Sequence, residues 1–83
     1  MKISVRYFAS VREAIGEGAE QVNTAAANLA ALRDELIARS PAYAEALARG
    51  KSVRMALNQV MADESATLTE GCEVAFFPPV TGG

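Results

Sequence analysis

From Lys2 the chain alternates, with Ile3, Val5 and Tyr7 on one side and Lys2, Ser4 and Arg6 on the other. A period of two predicts a strand, and Phe8 breaks it. Ser10 stands three residues before Glu13, the spacing of a reciprocal N-terminal cap, and Val11, Ala14 and Ile15 give the helical turn that follows its apolar contacts before Gly16 ends it. Gly16 and Gly18 then turn the chain into a weak strand over 19–24, with Val22 its only large apolar residue. Leu29, Leu32, Leu36 and Ile37 form one stripe at helical period, so a helix is expected over 29–39 with Asn28 as its N-cap. Ser40-Pro41 caps and opens a shorter helix that pairs Tyr43 with Leu47 and stops at Gly50. Val53, Met55 and Leu57 alternate as a third strand, Asn58-Gln59 turns it tightly into a brief strand over 60–62, and Leu68 plugs the core between turn-rich segments. The last strand covers 73–77. This order predicts an α+β fold, a mixed sheet with helices packed on one face.

Eighty-three residues suffice for one domain, and 51% hydrophobic with 22% charged residues is the balance of a packed globule. The net charge is −2 and the eight cations are scattered among acids, which argues against nucleic-acid binding. Without His, and with Cys72 as the single cysteine, the chain has no ligand set for a resident metal and no disulfide. The opening residues lack the apolar core of a signal peptide, and no run reaches the ~18 apolar residues of a membrane span. A cytoplasmic protein with no membrane contact is the expectation.

The informative segment is the end. Pro78-Pro79 directly follows the last strand; proline has no amide donor and a fixed φ, so pairing stops and the chain continues as a stiff extended strut. Val80, Thr81, Gly82 and Gly83 follow, with no charged side chain and no Cβ at the last two positions. Glycine makes up roughly 7% of residues, so a terminal Gly-Gly arises by chance in about 0.5% of chains. A frayed end is therefore a poorer explanation than a terminal carboxylate held at a distance and slim enough to enter a narrow slot. Such a carboxylate, with a pKa near 3.5, is an anion that resists nucleophiles until it is activated. Adenylation by ATP is the natural route, and this chain has no phosphate-cradling loop of its own, so a separate activating enzyme is implied.

The stretch from Thr69 through Cys72, Phe76-Phe77-Pro78-Pro79 and Val80 to Gly83 closely resembles the end of molybdopterin synthase small subunits. Arg6 to Glu13 is similar to that family's opening, Asn58-Gln59 to its mid-chain turn, and the resemblance spans essentially the whole chain. It implies a ubiquitin-like β-grasp domain over 1–77 and an extended tail over 78–83. It further implies that Gly83 is adenylated by an E1-like adenylyltransferase at the expense of ATP and converted to a thiocarboxylate by a sulfur-donating enzyme. The tail, Pro78, Pro79, Val80, Thr81, Gly82 and Gly83, would enter the active site of the large subunit, where two sulfur transfers turn cyclic pyranopterin monophosphate into the molybdopterin dithiolene. The implied assembly is a heterotetramer of two small and two large subunits, and the chain is not catalytic alone. No bound cofactor is expected.

Phe76, in phase with Val74, should point into the core, which makes Phe77 a candidate partner anchor together with Val80. Cys72 replaces a usually acidic residue of the family and reads as an incidental turn residue. Arg12 reads as a solvated charge. The alternatives are a sulfur carrier for thiamine, cysteine or tRNA thiolation, a ubiquitin-like modifier whose Gly83 is attacked by amines, and an interaction module with an inert tail. Phe76-Phe77-Pro78-Pro79 favours the molybdopterin synthase reading over the other sulfur carriers.

Overall fold

The alternation of the first strand survives folding: Ile3, Val5 and Tyr7 are buried while Lys2 and Arg6 face solvent, over β1 (Lys2–Tyr7). The computed structural model describes residues 1–48, 50 and 52–79. Along the chain follow α1 (Ala9–Ile15), β2 (Ala19–Asn23), α2 (Leu29–Ile37), α3 (Pro41–Leu47), β3 (Arg54–Leu57), β4 (Val60–Ala62) and β5 (Glu73–Phe77). The strands form one mixed sheet in the order β2-β1-β5-β3-β4. Only β1 and β5 run parallel, and the other pairs are antiparallel. Leu29, Leu32 and Leu36 of α2, Leu47 of α3 and Val11 of α1 pack with Ile3, Val5, Val22, Val74 and Phe76 in a single core. The α+β layering is as the pattern predicts.

Local signals place several boundaries correctly. Asn28 Oδ1 accepts from the Ala31 amide at 2.9 Å and caps α2, and the Ser40 hydroxyl accepts from the Tyr43 amide at 3.5 Å ahead of Pro41. Gly16 closes α1 with φ of 88°, a conformation in which a Cβ would be strained. Asn58 and Gln59 both have positive φ, 51° and 68°, as a two-residue hairpin with the right-handed twist of its strands requires. Leu68 is buried as expected.

Other expectations need correction. Ser10 does not cap α1. The N-cap is Phe8, with no side-chain cap bond, because its amide still donates to Phe76 O at 3.1 Å while its carbonyl already accepts from the Val11 and Arg12 amides. Strand and helix thus share one residue, and Ser10 falls inside the helix. The helix expected over 29–39 ends at Ile37, where the Arg39 amide donates to Leu36 O at 3.0 Å and tightens the final turn. The helix expected to reach Gly50 ends at Leu47. There the buried Arg33 donates to Leu47 O at 2.8 Å and Ala48 O at 2.9 Å, satisfying the helix-end carbonyls from the side and releasing the chain into an extended Ala48. β3 starts at Arg54, one residue later than the alternation suggests. Cys72, read as an incidental turn residue, directly follows the turn at Glu70-Gly71 and is buried in the core.

Candidate functional site

The site grows out of β5. That strand lies between β1 and β3, so both of its edges are hydrogen-bonded, and Val74 and Phe76 are fully buried beneath it. Phe76 stacks on Tyr7 with ring centroids 6.2 Å apart, and Tyr7 meets Tyr43 edge to face at 6.1 Å. A central strand with its last core residue clamped by aromatic rings is a rigid root. β5 ends at Phe77 because Pro78 and Pro79 can donate nothing to either neighbour.

Phe77 is half-buried, on the face opposite the core, and its ring meets Phe8 edge to face at 6.5 Å. Phe8 itself is 44% exposed, so the two rings form an open aromatic pair at the exit point. Phe76 therefore points inward and Phe77 outward, as the pleat demands. Pro78 is half-buried and Pro79 exposed. Both line a hollow of about 140 Å³ against Ser10, Ala14 and Ala46. Pro79 also borders a second hollow of about 290 Å³, whose walls include Val53, Arg54 and Met61. The expected site residues Val80, Thr81, Gly82 and Gly83 lie outside the described residues.

A polar cluster that local reading missed supports this root from the helix side. The Glu20 carboxylate accepts from Tyr7 Oη at 2.8 Å, Tyr43 Oη at 2.6 Å and an Arg39 guanidinium nitrogen at 2.9 Å. Arg39 also lies 5.0 Å from the centre of the Tyr43 ring. Partial burial pushes the Glu20 carboxyl up, but the three hydrogen bonds outweigh it and hold the group below its ordinary value. Burial and the same carboxylate push both tyrosine hydroxyls up, so they remain donors. The partners come from β1, α3 and the link between α2 and α3, 13, 23 and 19 residues from Glu20. No spacing rule spans such separations; two tyrosines and an arginine in phase with buried positions were the only sequence signal.

Among the described residues no group of three or more His, Cys, Asp or Glu is placed to hold a metal ion. None of their helices is long and apolar enough to cross a membrane. What the geometry offers is a rigid strand end at Phe77, bordered among the described residues by small and apolar side chains and by Arg54.

Comparison with known proteins shows the family and the fold. The sequence pattern of the ThiS family matches residues 5–83. The molybdopterin synthase sulfur carrier subunit of Escherichia coli is 46% identical over 81 residues, covering 98% of this chain and 99% of that protein. Among solved structures, SAMP1 from Haloferax volcanii superposes with a TM-score of 0.79 at 24% identity, with all of both chains covered, a likeness of fold. A protein–protein complex of subunits 1 and 2 of molybdopterin-converting factor from Helicobacter pylori contains a chain similar to this one, with a TM-score of 0.70, 27% identity and both chains covered in full.

Proposed function

This chain belongs to the ThiS family, and from that premise we propose that it is the sulfur-carrier subunit of molybdopterin synthase, with Gly83 as the residue that carries the sulfur. The observation that bears most weight is the exit of the chain. A strand hydrogen-bonded along both edges ends at Phe77, two prolines forbid further pairing, and the family match continues to residue 83. A large-subunit partner is supported by the Helicobacter pylori complex.

In this reading the body does no bond chemistry. The Gly83 carboxylate attacks the α-phosphorus of ATP on an E1-like adenylyltransferase, pyrophosphate leaves, and the acyl-adenylate forms. Hydrosulfide supplied by a sulfur-donating enzyme then attacks the acyl carbon, AMP leaves, and a thiocarboxylate remains. The tail over 78–83 enters the large subunit, the thiocarboxylate sulfur bonds to a side-chain carbon of the pterin precursor as the carbon–oxygen bond there breaks and the oxygen leaves, and water cleaves the acyl–sulfur bond to restore the carboxylate. Two charged carriers supply the two dithiolene sulfurs, which suits a heterotetramer of two small and two large subunits. Acid and base groups belong to the partner, since every step on this chain takes place at a terminal backbone atom that lacks a side chain. Phe77 and Val80 are the apolar contacts this reading assigns to the partner.

The reading is tested by intact mass after incubation with the activating enzyme, ATP and a sulfur source. One oxygen-to-sulfur exchange, abolished by deletion of Gly82 and Gly83, is the expected result. Conjugates on lysines of other proteins, without that exchange, would make the chain a modifier instead.

A further inference from the structure

Four residues follow Pro79, and at 3.3–3.6 Å each they reach at most about 14 Å. If Gly83 is the reacting residue, as proposed above and as this inference requires, any enzyme acting on it brings its rim within that reach of Pro79. Its surface must then cover what surrounds the root, including the two hollows that meet at Pro79. Among the described residues those hollows are walled by small, apolar and hydroxyl side chains, with Arg54 as the single charged one.

Among the described residues three arginines pair with a carboxylate, whereas Arg12 and Arg54 do not. Arg6 pairs with Glu73 at 3.5 Å, Arg39 with Glu20 at 2.9 Å, and the buried Arg33 with Glu64 at 3.8 Å. Arg54 is exposed, sits opposite Phe77 in the β3–β5 register, and has no carboxylate within ion-pair distance among the described residues. Beside it, Met61 is 55% exposed at the sheet edge and Pro79 forms the other wall. A partner that covers this ground removes water from an uncompensated guanidinium, which is unfavourable unless an anion replaces the water. The fork of N–H groups suits a carboxylate, bound through two parallel hydrogen bonds. Next to it, Met61 and Pro79 offer an apolar wall that only an apolar side chain fills without loss.

We propose that Arg54 is a specificity-determining contact of the tail root: the large subunit that receives the tail sets a carboxylate side chain against Arg54 and an apolar side chain between Met61 and Pro79. Partners with a neutral or basic rim at that position are rejected, because they leave the guanidinium desolvated and unpaired.

The experiment compares the full-length chain with Arg54→Glu, Arg54→Ala and Arg54→Lys, measuring association with the large subunit at low and high salt and thermal unfolding of each variant alone. Arg54→Glu should weaken binding about tenfold or more at low salt, with a slower association rate, and the deficit should shrink as salt rises. Arg54→Ala should fall between, Arg54→Lys should lie nearest the parent, and the melting temperatures should agree because the side chain is exposed. Equal affinity of Arg54→Glu and the parent overturns the proposal. So does an equal, salt-independent loss in all three variants, which would indicate packing and not charge, or a change confined to self-association of the chain. A parent chain that forms no thiocarboxylate and does not bind the large subunit overturns the functional reading as well, whereas a working parent matched by Arg54→Glu overturns the Arg54 assignment alone.

Discussion

Glu20 ties three elements to one carboxylate, and its removal leaves two tyrosine hydroxyls and a guanidinium without their shared acceptor. Glu20→Gln should therefore destabilise the fold by about 1–2 kcal/mol, measured by urea unfolding. The pH dependence follows from the direction of the shift. The folded carboxyl lies below its ordinary value of 4.5, so the native state binds fewer protons than the unfolded chain. This contribution is complete above the unfolded value and is lost as pH falls through the lower folded one. The Gln variant should lose its difference from the parent only in that acid range; a difference that grows above pH 6 would contradict the assignment. Phe76 and Phe77 separate two roles held by neighbours. Phe76→Ala empties a fully buried site stacked on Tyr7 and should cost about 3–5 kcal/mol. Phe77→Ala removes a half-buried ring and should cost far less stability while weakening partner binding, as unfolding and association measurements on one pair of variants would resolve.

Among the elements, what could be read from sequence depended on distance along the chain. Asn28, Ser40-Pro41 and Asn58-Gln59 act on backbone groups within three residues, so their types and order announce the caps and the turn. Ser10 and Glu13 have the same local appearance, yet the start of α1 was fixed by Phe76, whose carbonyl takes the Phe8 amide 68 residues away. Arg33 ended α3 from another helix, and Glu20 found partners at separations no period connects. Alternation likewise told which side chains face inward, but not that β1 would lie beside β5. The cap comparison is a direct check: Asn28→Ala should cost about 1 kcal/mol and Ser10→Ala less than about 0.5 kcal/mol in thermal unfolding. In the hairpin, Gln59→Gly at φ of 68° should be neutral or stabilising by up to about 1 kcal/mol, since glycine adopts that conformation without a Cβ clash.

As a whole, the molecule is a folded body that gives its end a fixed point of departure. In the proposed reading the site runs from Pro78 to Gly83, and the sequence points to it through what those residues lack: amide donors, charge and Cβ atoms. Its surroundings were not legible, since Arg54, Met61 and Ala46 reach the root from separate elements. An acidic body also fits a role in which recognition occurs at a small, locally cationic surround and not over the whole surface. The central claim is that sulfur travels on the terminal acyl group of Gly83. It is tested most directly by a single turnover of the large subunit with the pterin precursor, supplied with this chain bearing either an authentic C-terminal thiocarboxylate or the plain carboxylate. Dithiolene formed only with the thiocarboxylate, with sulfur lost from the carrier in step with product, is the predicted result; equal product from the plain carboxylate form would contradict it.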